Sequence, residues 1–581
     1  MNISNRLTYI IAGLLLIFVF IIAVFSVQGD SLTMDELAHL PAGYSYLTQK
    51  DMRLNPEHPP LLKDLSALPL LFIKNIKFPS EIKAWKEKVN GQWDFGHYFL
   101  YQTGNPVEKM IFWARIPMIL LLILLGFYIF KWTRELFGNC AALLALFFFS
   151  FSPTFLAHGR LVTTDVGAAT ACFVATYYFI KSLQSPTKKN IIIAGVVFGV
   201  AQLLKFSVIL LVPFFGFLGL LWWLTKSGTF WQTIKIGFLV FLIGFLLIWP
   251  IYQYHVWNYP PEKQLSDTKI YLRDTVKPIK NAILWMVDKP ILRAYAHYFT
   301  GISMVFHRVV GGNTTYFLGE VSNLGWRNYF PIVYAIKLPL AFHILTLIAL
   351  FYAVWFIKKP FWQNFGQRLK NWVKSHFPEF SILTFIIIYW AVSIKGNLNI
   401  GVRHLLPVFP PTFTLVAGMI AKGLKEPYLK LKYSLLMILI LWQAFSVISI
   451  YPHFLAYFNE IVGGPNQGYI YVVDSNLDWG QDLKRLKIWT EKNGVNKIYV
   501  DYFGGSDVKY YLGEKFAPWW GQRNPQELPK GSYLAVSATL LQGGRGQAAP
   551  GFNQPTDYYR WLDRYEPIAK IGYSIFVYYL P

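Results

Sequence analysis

The chain has 581 residues, of which 54% are hydrophobic and only 15% charged, with a formal net charge of +23. Soluble proteins carry about 25% charged residues, so this chain has too little polar surface for a water-soluble protein of its length and falls in the membrane class. Its basic residues are spread over short segments rather than gathered in one hydrophilic domain, which argues against nucleic-acid binding. The two cysteines, Cys140 and Cys172, lie in apolar runs and suggest no disulfide framework.

A bilayer core takes about 20 apolar residues in a helix. In chain order the apolar runs predict spans at about 8–27, 111–130, 138–157, 164–181, 190–205, 207–225, 234–252, 332–357, 380–395, 404–421 and 433–451, eleven in all. The fourth, fifth and ninth are short, as broken helices lining a cavity can be. The first follows Arg6, and its run exceeds the roughly 7–15 residues of a signal-peptide core, so it reads as an uncleaved anchor.

Lys and Arg in short loops set orientation. With the N-terminus in the cytoplasm, the inner loops carry Lys131 and Arg134; Lys181, Lys188 and Lys189; Lys226 and Lys235; Lys358, Lys359, Arg368, Lys370 and Lys374; and Lys422, Lys425, Lys430 and Lys432. The short outer loops carry only Arg160, Lys205, Lys395 and Arg403. Segments 28–110 and 253–331 and the tail from about 452 then face outward, giving a transmembrane domain over 1–451 and an extracytoplasmic domain over 452–581 in a multi-pass protein of the cell membrane.

The first outer loop holds an apolar stretch from Leu61 to Phe72, broken by Lys63 and Asp64, that suits a helix lying in the interface. In the tail, Tyr469–Val473, Lys497–Phe503, Ser532–Ala538 and Ser574–Leu580 read as strands, and Gln481–Asn493 as a helix stopped by Gly494. The fold class is mainly α, a polytopic membrane protein with a small C-terminal α/β domain.

Ionisable residues beside apolar runs are functional candidates, because burying them unpaired costs several kcal/mol. Here they crowd at the outer ends of the spans. Asp35 and Glu36 follow the first span, with His39 one turn on. Glu57 and His58 precede Pro59 and Pro60, which predict an extended backbone there. His158, Arg160, Thr164 and Asp165 sit at the turn between the third and fourth spans, and Arg403 and His404 precede the tenth. Each also has a structural reading: Asp35 and Asp165 suit helix N-termini, Arg403 a snorkelling anchor, His58 a loop. The stretch Asp478-Trp479-Gly480-Gln481-Asp482 reads as a strand-to-helix turn with acids at the helix start. Four clusters at one depth beside lipid suit chemistry on a substrate with a lipid tail and a polar head.

These residues resemble those of a known family, the polyprenyl-phosphate-sugar-dependent transferases of the GT-C fold, among them the bacterial relatives of protein O-mannosyltransferases and the aminoarabinose transferase of lipid A. The resemblance runs from about 8 to 451. It rests on the Asp35-Glu36 pair, His58-Pro59-Pro60-Leu61, Thr164-Asp165, Gly401-Val402-Arg403-His404 with Pro407, and Tyr316-Phe317-Leu318-Gly319 with Gly325-Trp326, Tyr329-Phe330 and Lys337. It implies transfer of a sugar from a polyprenyl phosphate to an acceptor hydroxyl on a glycan, lipid or protein, by one-step inverting displacement. By the same resemblance Asp35 is the leading general base, with Glu36 and Asp165 in support. Arg403 and Lys337 are the first partners for the donor phosphate, Arg160 and Lys63 weaker ones, and Glu57, His58 and His404 are candidates for binding substrate. No obligatory cofactor is expected, although Asp35, Glu36, Glu57 and His58 are of a type that holds a divalent metal.

Two other classes compete. A transporter or flippase of lipid-linked sugar would place its site near the bilayer midplane in paired halves, and neither feature is seen. A membrane scaffold would not need these charges gathered together. Convergence of Asp35, Asp165 and Arg403 on one outward cavity distinguishes an enzyme from a scaffold. Sugar, acceptor and oligomeric state are left open by the sequence.

Overall fold

The computed structural model describes residues 3–357, 360, 363–424 and 429–581. Lys358, Lys359 and Lys425, counted above among the inner-loop cations, lie outside the described residues. Every expected span coincides with helix. Among the described residues eight helices are long and apolar enough to cross a membrane, or nine if one bent pair counts as a single span.

In chain order these are α1 (Asn5–Val27), followed by the short α2 (Met34–Gln49) and α3 (Leu61–Ala67) of the first loop, then α4 (Val107–Phe137), α5 (Asn139–Ser150), α6 (Asp165–Gln184), α7 (Lys188–Gln202), α8 (Leu211–Leu224) and α9 (Phe230–His255). The helix α10 (Arg293–Gly311), in the segment between the seventh and eighth expected spans, leads to α11 (Tyr329–Lys337), α12 (Leu340–Trp355), α13 (Phe377–Lys395), α14 (Phe409–Gly423) and α15 (Leu429–Ile448).

Proline accounts for two departures from the even run of expected spans. The predicted 138–157 span stops at Ser150 and restarts at Pro153, whose missing N–H is tolerated in a first helical turn. The predicted 332–357 span is bent by 110° between α11 and α12, where Pro339 cannot donate to the preceding turn. The α7 helix has 15 residues and is about 22 Å long.

The tail does not stand apart from the helices. A five-stranded sheet is built from β3 (Ile498–Asp501), β4 (Phe516–Pro518), β5 (Ser532–Ser537), β7 (Ala569–Ile571) and β8 (Ile575–Leu580), in the order β4-β3-β5-β8-β7. A helix, α16 (Leu483–Lys492), precedes it, and Gly494 follows at φ +61° as the left-handed cap the sequence predicts. A second sheet joins the hairpin β1 (Thr315–Phe317) and β2 (Glu320–Ser322) to β6 (Gln547–Ala548) of the tail.

The strand expected at Tyr469–Val473 is not formed. That segment holds a 3-10 turn and makes one bridge, Val472 to Phe317, because it pairs with the β1–β2 hairpin, the Tyr471 carbonyl accepting from the Leu318 N–H at 2.9 Å, instead of joining the tail sheet. Glu57 and His58 lie in a turn rather than an extended segment. The Lys63 ammonium gathers the Asn55 and His58 carbonyls, the Asn55 side chain and the Tyr46 hydroxyl, all within 2.9 Å, and folds the loop around itself.

Candidate active site

The first turn of α2 carries Asp35 and Glu36 side by side. Successive helical residues point about 100° apart, so neighbours face different surroundings. Glu36 turns inward. It is fully buried and accepts from Arg115 Nε at 2.8 Å and Nη2 at 2.6 Å, from the Thr33 backbone N–H at 2.9 Å and from the Val162 N–H at 2.9 Å. Burial pushes the Glu36 carboxyl up, but Arg115 and these N–H donors outweigh it and hold the group below the usual carboxylate range. Glu36 is therefore a brace between the first loop, α4 and the turn before α6.

Asp35 turns the other way. Its side chain keeps 25% of its surface accessible, against none for Glu36, and one oxygen accepts from Arg403 Nη1 at 2.7 Å. The same Nη1 reaches Asp165 Oδ2 at 3.2 Å, and the other Asp165 oxygen accepts from Lys205 at 2.5 Å. Asp165 opens α6, Lys205 lies between α7 and α8, and Arg403 lies in the 3-10 turn before α14. Residues 238 and 368 positions from Arg403 are thus brought to one guanidinium. Burial acts to raise the Asp35 carboxyl; Arg403, helped by His39, overcomes this and keeps it ionised.

Three histidines complete the rim. His39 Nδ1 donates to the Val162 carbonyl at 3.0 Å, and its ring lies edge-on to His58 at 5.1 Å. Burial lowers His58 well below the usual imidazole range, with His39, Lys63, Lys205 and Arg308 adding to it, so the ring is neutral at pH 7. Nδ1 of His58 and Nε2 of His404 are buried without a hydrogen-bond partner among the described residues. Arg308, exposed near the end of α10, is within electrostatic reach of both rings. Lys205, Arg308 and Arg403 therefore form a cationic group around partner-seeking imidazoles.

The remaining sequence candidates sit elsewhere. Lys337 is buried, and its ammonium donates to the carbonyls of Leu455 at 2.9 Å, Tyr457 at 2.6 Å and Asn476 at 2.6 Å. Its three protons are spent on the tail, so it is not free for a phosphate. Lys63 is saturated by the loop it folds. Arg160 is fully buried against Asp30 at 2.8 Å. Glu57 accepts from Gln92 at 2.6 Å and Asn90 at 3.1 Å and braces the first loop. The grouping of Asp35, Glu36, Glu57 and His58 as metal ligands is not assembled, and among the described residues no three His, Cys, Asp or Glu side chains are placed to hold a metal ion.

Lys205 and Arg308 were missed as site residues in the sequence, and so was the brace Arg115. A signal existed for Arg115 and Lys205: each interrupts an otherwise apolar run, where a charge is expensive. A cavity of about 320 Å³ lined by Phe179, Phe215, Trp223 and Phe230 lies far from this group. Its wall at Phe179 is about 20 Å along α6 from Asp165, and it carries no charged side chain.

A family model described as dolichyl-phosphate-mannose-protein mannosyltransferase matches residues 98–253. That stretch holds Arg115, Arg160, Asp165 and Lys205. Over that stretch, about a quarter of the chain, the match agrees with the resemblance to polyprenyl-phosphate-sugar-dependent transferases seen in the sequence. It lends no support to a flippase. Among curated proteins no relative matches.

Among solved structures, the apo oligosaccharyltransferase of Archaeoglobus fulgidus is 12% identical over 92% of this chain and 70% of its own, with a TM-score of 0.48. ArnT of Cupriavidus metallidurans in the apo state is 13% identical over 99% of this chain and 98% of its own, at 0.32. The protein O-mannosyltransferase Pmt1-Pmt2 complex of S. cerevisiae bound to its sugar donor is 17% identical over 45% of this chain and 34% of its own, at 0.34.

Proposed function

We propose that this protein moves a sugar from a polyprenyl-phosphate donor to an acceptor hydroxyl on the extracytoplasmic side of the cell membrane, in a single inverting displacement. The observation that carries the reading is the bridge of Arg403 between Asp35 and Asp165. The acceptor oxygen attacks the anomeric carbon while its proton passes to Asp35. The bond from the anomeric carbon to the phosphate oxygen breaks, and its electron pair leaves with the lipid phosphate. Charge grows on that phosphate as it departs, and Arg403, Lys205 and Arg308 are the cations placed to receive it.

The ion pair gives the base a timing device. In the free site Arg403 keeps Asp35 a weak base. A phosphate that draws the guanidinium toward itself releases Asp35 from part of that field, and its carboxylate then binds a proton more tightly. Asp165 acts from behind, holding Arg403 and Lys205 together.

The orientation follows from the inner-loop Lys and Arg residues, with a cytoplasmic N-terminus and an extracytoplasmic tail. A phosphate leaving group held by Arg and Lys calls for no metal, and we propose a metal-independent reaction. The transmembrane part supplies the donor site and an acceptor of glycan, lipid or protein type enters from outside. The test is sugar transfer by purified protein offered a panel of polyprenyl-phosphate sugars, beside Asp35→Asn. Turnover of one donor, lost in the variant, supports the reading. Full activity in Asp35→Asn removes Asp35 as the base.

A further inference from the structure

The stretch Asp474–Asp482, of which the sequence reads Asp478–Asp482 as a strand-to-helix turn, is a part of the tail that reaches into the site. Ser475 Oγ accepts from Arg403 Nε at 3.0 Å and donates to the Ile400 carbonyl at 2.5 Å. The Trp479 ring covers one face of the Arg403 guanidinium, 4.2 Å from its carbon. The approach is close enough to need a glycine: a Cβ on Gly401, at φ +148°, would come within 2.3 Å of Ser475 Oγ. Asn476 accepts from the Val402 N–H at 2.9 Å and donates to the Tyr329 hydroxyl at 3.0 Å, which pins the turn that carries Arg403.

The other edge of the stretch pairs with the chain just before Asp35. The Trp479 carbonyl accepts from the Met34 N–H at 3.0 Å, and the Gln481 carbonyl from the Ser31 N–H at 2.9 Å. Lys337, through the Asn476 carbonyl, ties the same stretch to α11. One tail segment therefore touches the carriers of both the base and its cation. With Nε on Ser475 and Nη1 on the two aspartates, Nη2 is the guanidinium edge that no protein group takes up among the described residues.

We propose that Ser475 and Trp479 are positioning residues for the transfer reaction, holding the Arg403 guanidinium so that it bridges Asp35 and Asp165 and turns Nη2 toward the departing phosphate. The tail domain is then part of the enzyme's catalytic apparatus and not an appended module. This rests on the transferase reading above.

The experiment uses the full chain in lipid nanodiscs, with kcat and KM for the lipid-linked donor and Kd for undecaprenyl phosphate alone. Ser475→Ala, Trp479→Leu and Trp479→Phe are compared with wild type, and each variant's melting temperature is recorded. Trp479 is among the largest fully buried side chains, so its two replacements keep an apolar bulk, and only phenylalanine keeps an aromatic face. Ser475→Ala and Trp479→Leu are expected to lose about tenfold in kcat and in lipid-phosphate affinity, with Trp479→Phe recovering most of it. A lower melting temperature with wild-type kcat, KM and Kd in the folded fraction overturns the proposal, as does equal loss in the leucine and phenylalanine variants. A wild type that turns over no polyprenyl-phosphate sugar overturns the transferase reading and this inference together; an active wild type matched by Ser475→Ala and Trp479→Leu overturns this inference alone.

Discussion

Replacing Glu36 by glutamine separates the two adjacent carboxylates by what they do. Glutamine keeps the shape but removes the charge that faces Arg115, a side chain 1% accessible. It also turns an acceptor-only group into one with an N–H₂ aimed at donors: Arg115 Nε and Nη2 and the backbone N–H groups of Thr33 and Val162 all point at Glu36 oxygens within 2.9 Å. Breaking one side of a buried ion pair costs about 3–5 kcal/mol, because the other charge stays in a dry place. Asp35→Asn has a different cost. Asp35 keeps a quarter of its side chain accessible, Arg403 keeps Asp165, and the amide oxygen can still accept from Nη1, so stability changes little. What is lost is a proton acceptor, worth roughly 10²–10⁴-fold in rate. The assay measures both variants in one preparation, by thermal unfolding and by single-turnover sugar transfer on the folded fraction. Glu36→Gln should unfold several degrees lower and keep the rate of whatever remains folded. Asp35→Asn should melt near wild type and lose its rate. A stable Glu36→Gln protein that is as inactive as Asp35→Asn would refute the assignment of the two carboxylates. The double variant Glu36→Gln with Arg115→Met should regain part of the lost stability, since no buried charge then goes unpaired.

Arg403→Lys keeps a charge but cannot bridge two aspartates and Ser475 as a planar fork does; undecaprenyl-phosphate affinity should fall about 10–100-fold, read by titration in nanodiscs. Lys337→Met removes three N–H donors from the tail carbonyls and should expose the segment near 455–476 to limited proteolysis; weakened phosphate binding with unchanged protection would return Lys337 to the donor site. His97 Nε2 meets Asp507 at 2.8 Å, joining the first loop to the tail, and the hydrogen bond to Asp507 raises the imidazole above its ordinary value while Asp507 is held below its own. A raised histidine stabilises fully below its unfolded pKa, about 6.5, and loses that contribution as pH rises through the higher folded value. The difference in melting temperature between wild type and His97→Gln should thus be present near pH 6 and vanish in alkali; a difference that grows with pH would show the pair is not what couples these segments.

How far the sequence reached depends on the kind of contact. Long apolar runs report helices able to cross a bilayer whether or not they are buried in the protein, so α1, α4, α6, α9 and α13 could be placed from composition alone. Asp35, Asp165 and Arg403 were visible because a charge at the end of an apolar run has few reasons to be there. What could not be seen is which way each charge turns. Glu36 carries the same chemistry as Asp35 one residue earlier, and only the helical rotation between them sends one to Arg115 and the other to Arg403. Lys337 and Lys63 have the right depth and sign for a phosphate, but Lys63 is consumed by its own loop and Lys337 by three backbone carbonyls, all more than a hundred residues away. No local pattern announces a carbonyl acceptor, since every residue carries one.

The tail stretch shows the same limit from the opposite side. Asp478 and Asp482 read in the sequence as acids at a helix start, and Asp482 does precede α16. Yet Asp482 is spent on Arg485 and Ser574, while Asp474 faces Arg403 and Asp35 with its carboxyl pushed up to about 6 by burial against the pull of Arg403. Asp474 also holds a left-handed backbone at φ +56°, a conformation that costs a non-glycine residue free energy and persists where the surroundings impose it. The imposed geometry is what turns the chain so that Ser475 and Trp479 arrive at the guanidinium. A sequence window sees a turn; the function of the turn lies in where its ends are tied, to the Met34 and Ser31 N–H groups on one side and to Val402 on the other. Removing the tail should therefore cost more than solubility or folding, because the base and its cation would lose the segment that sets their spacing.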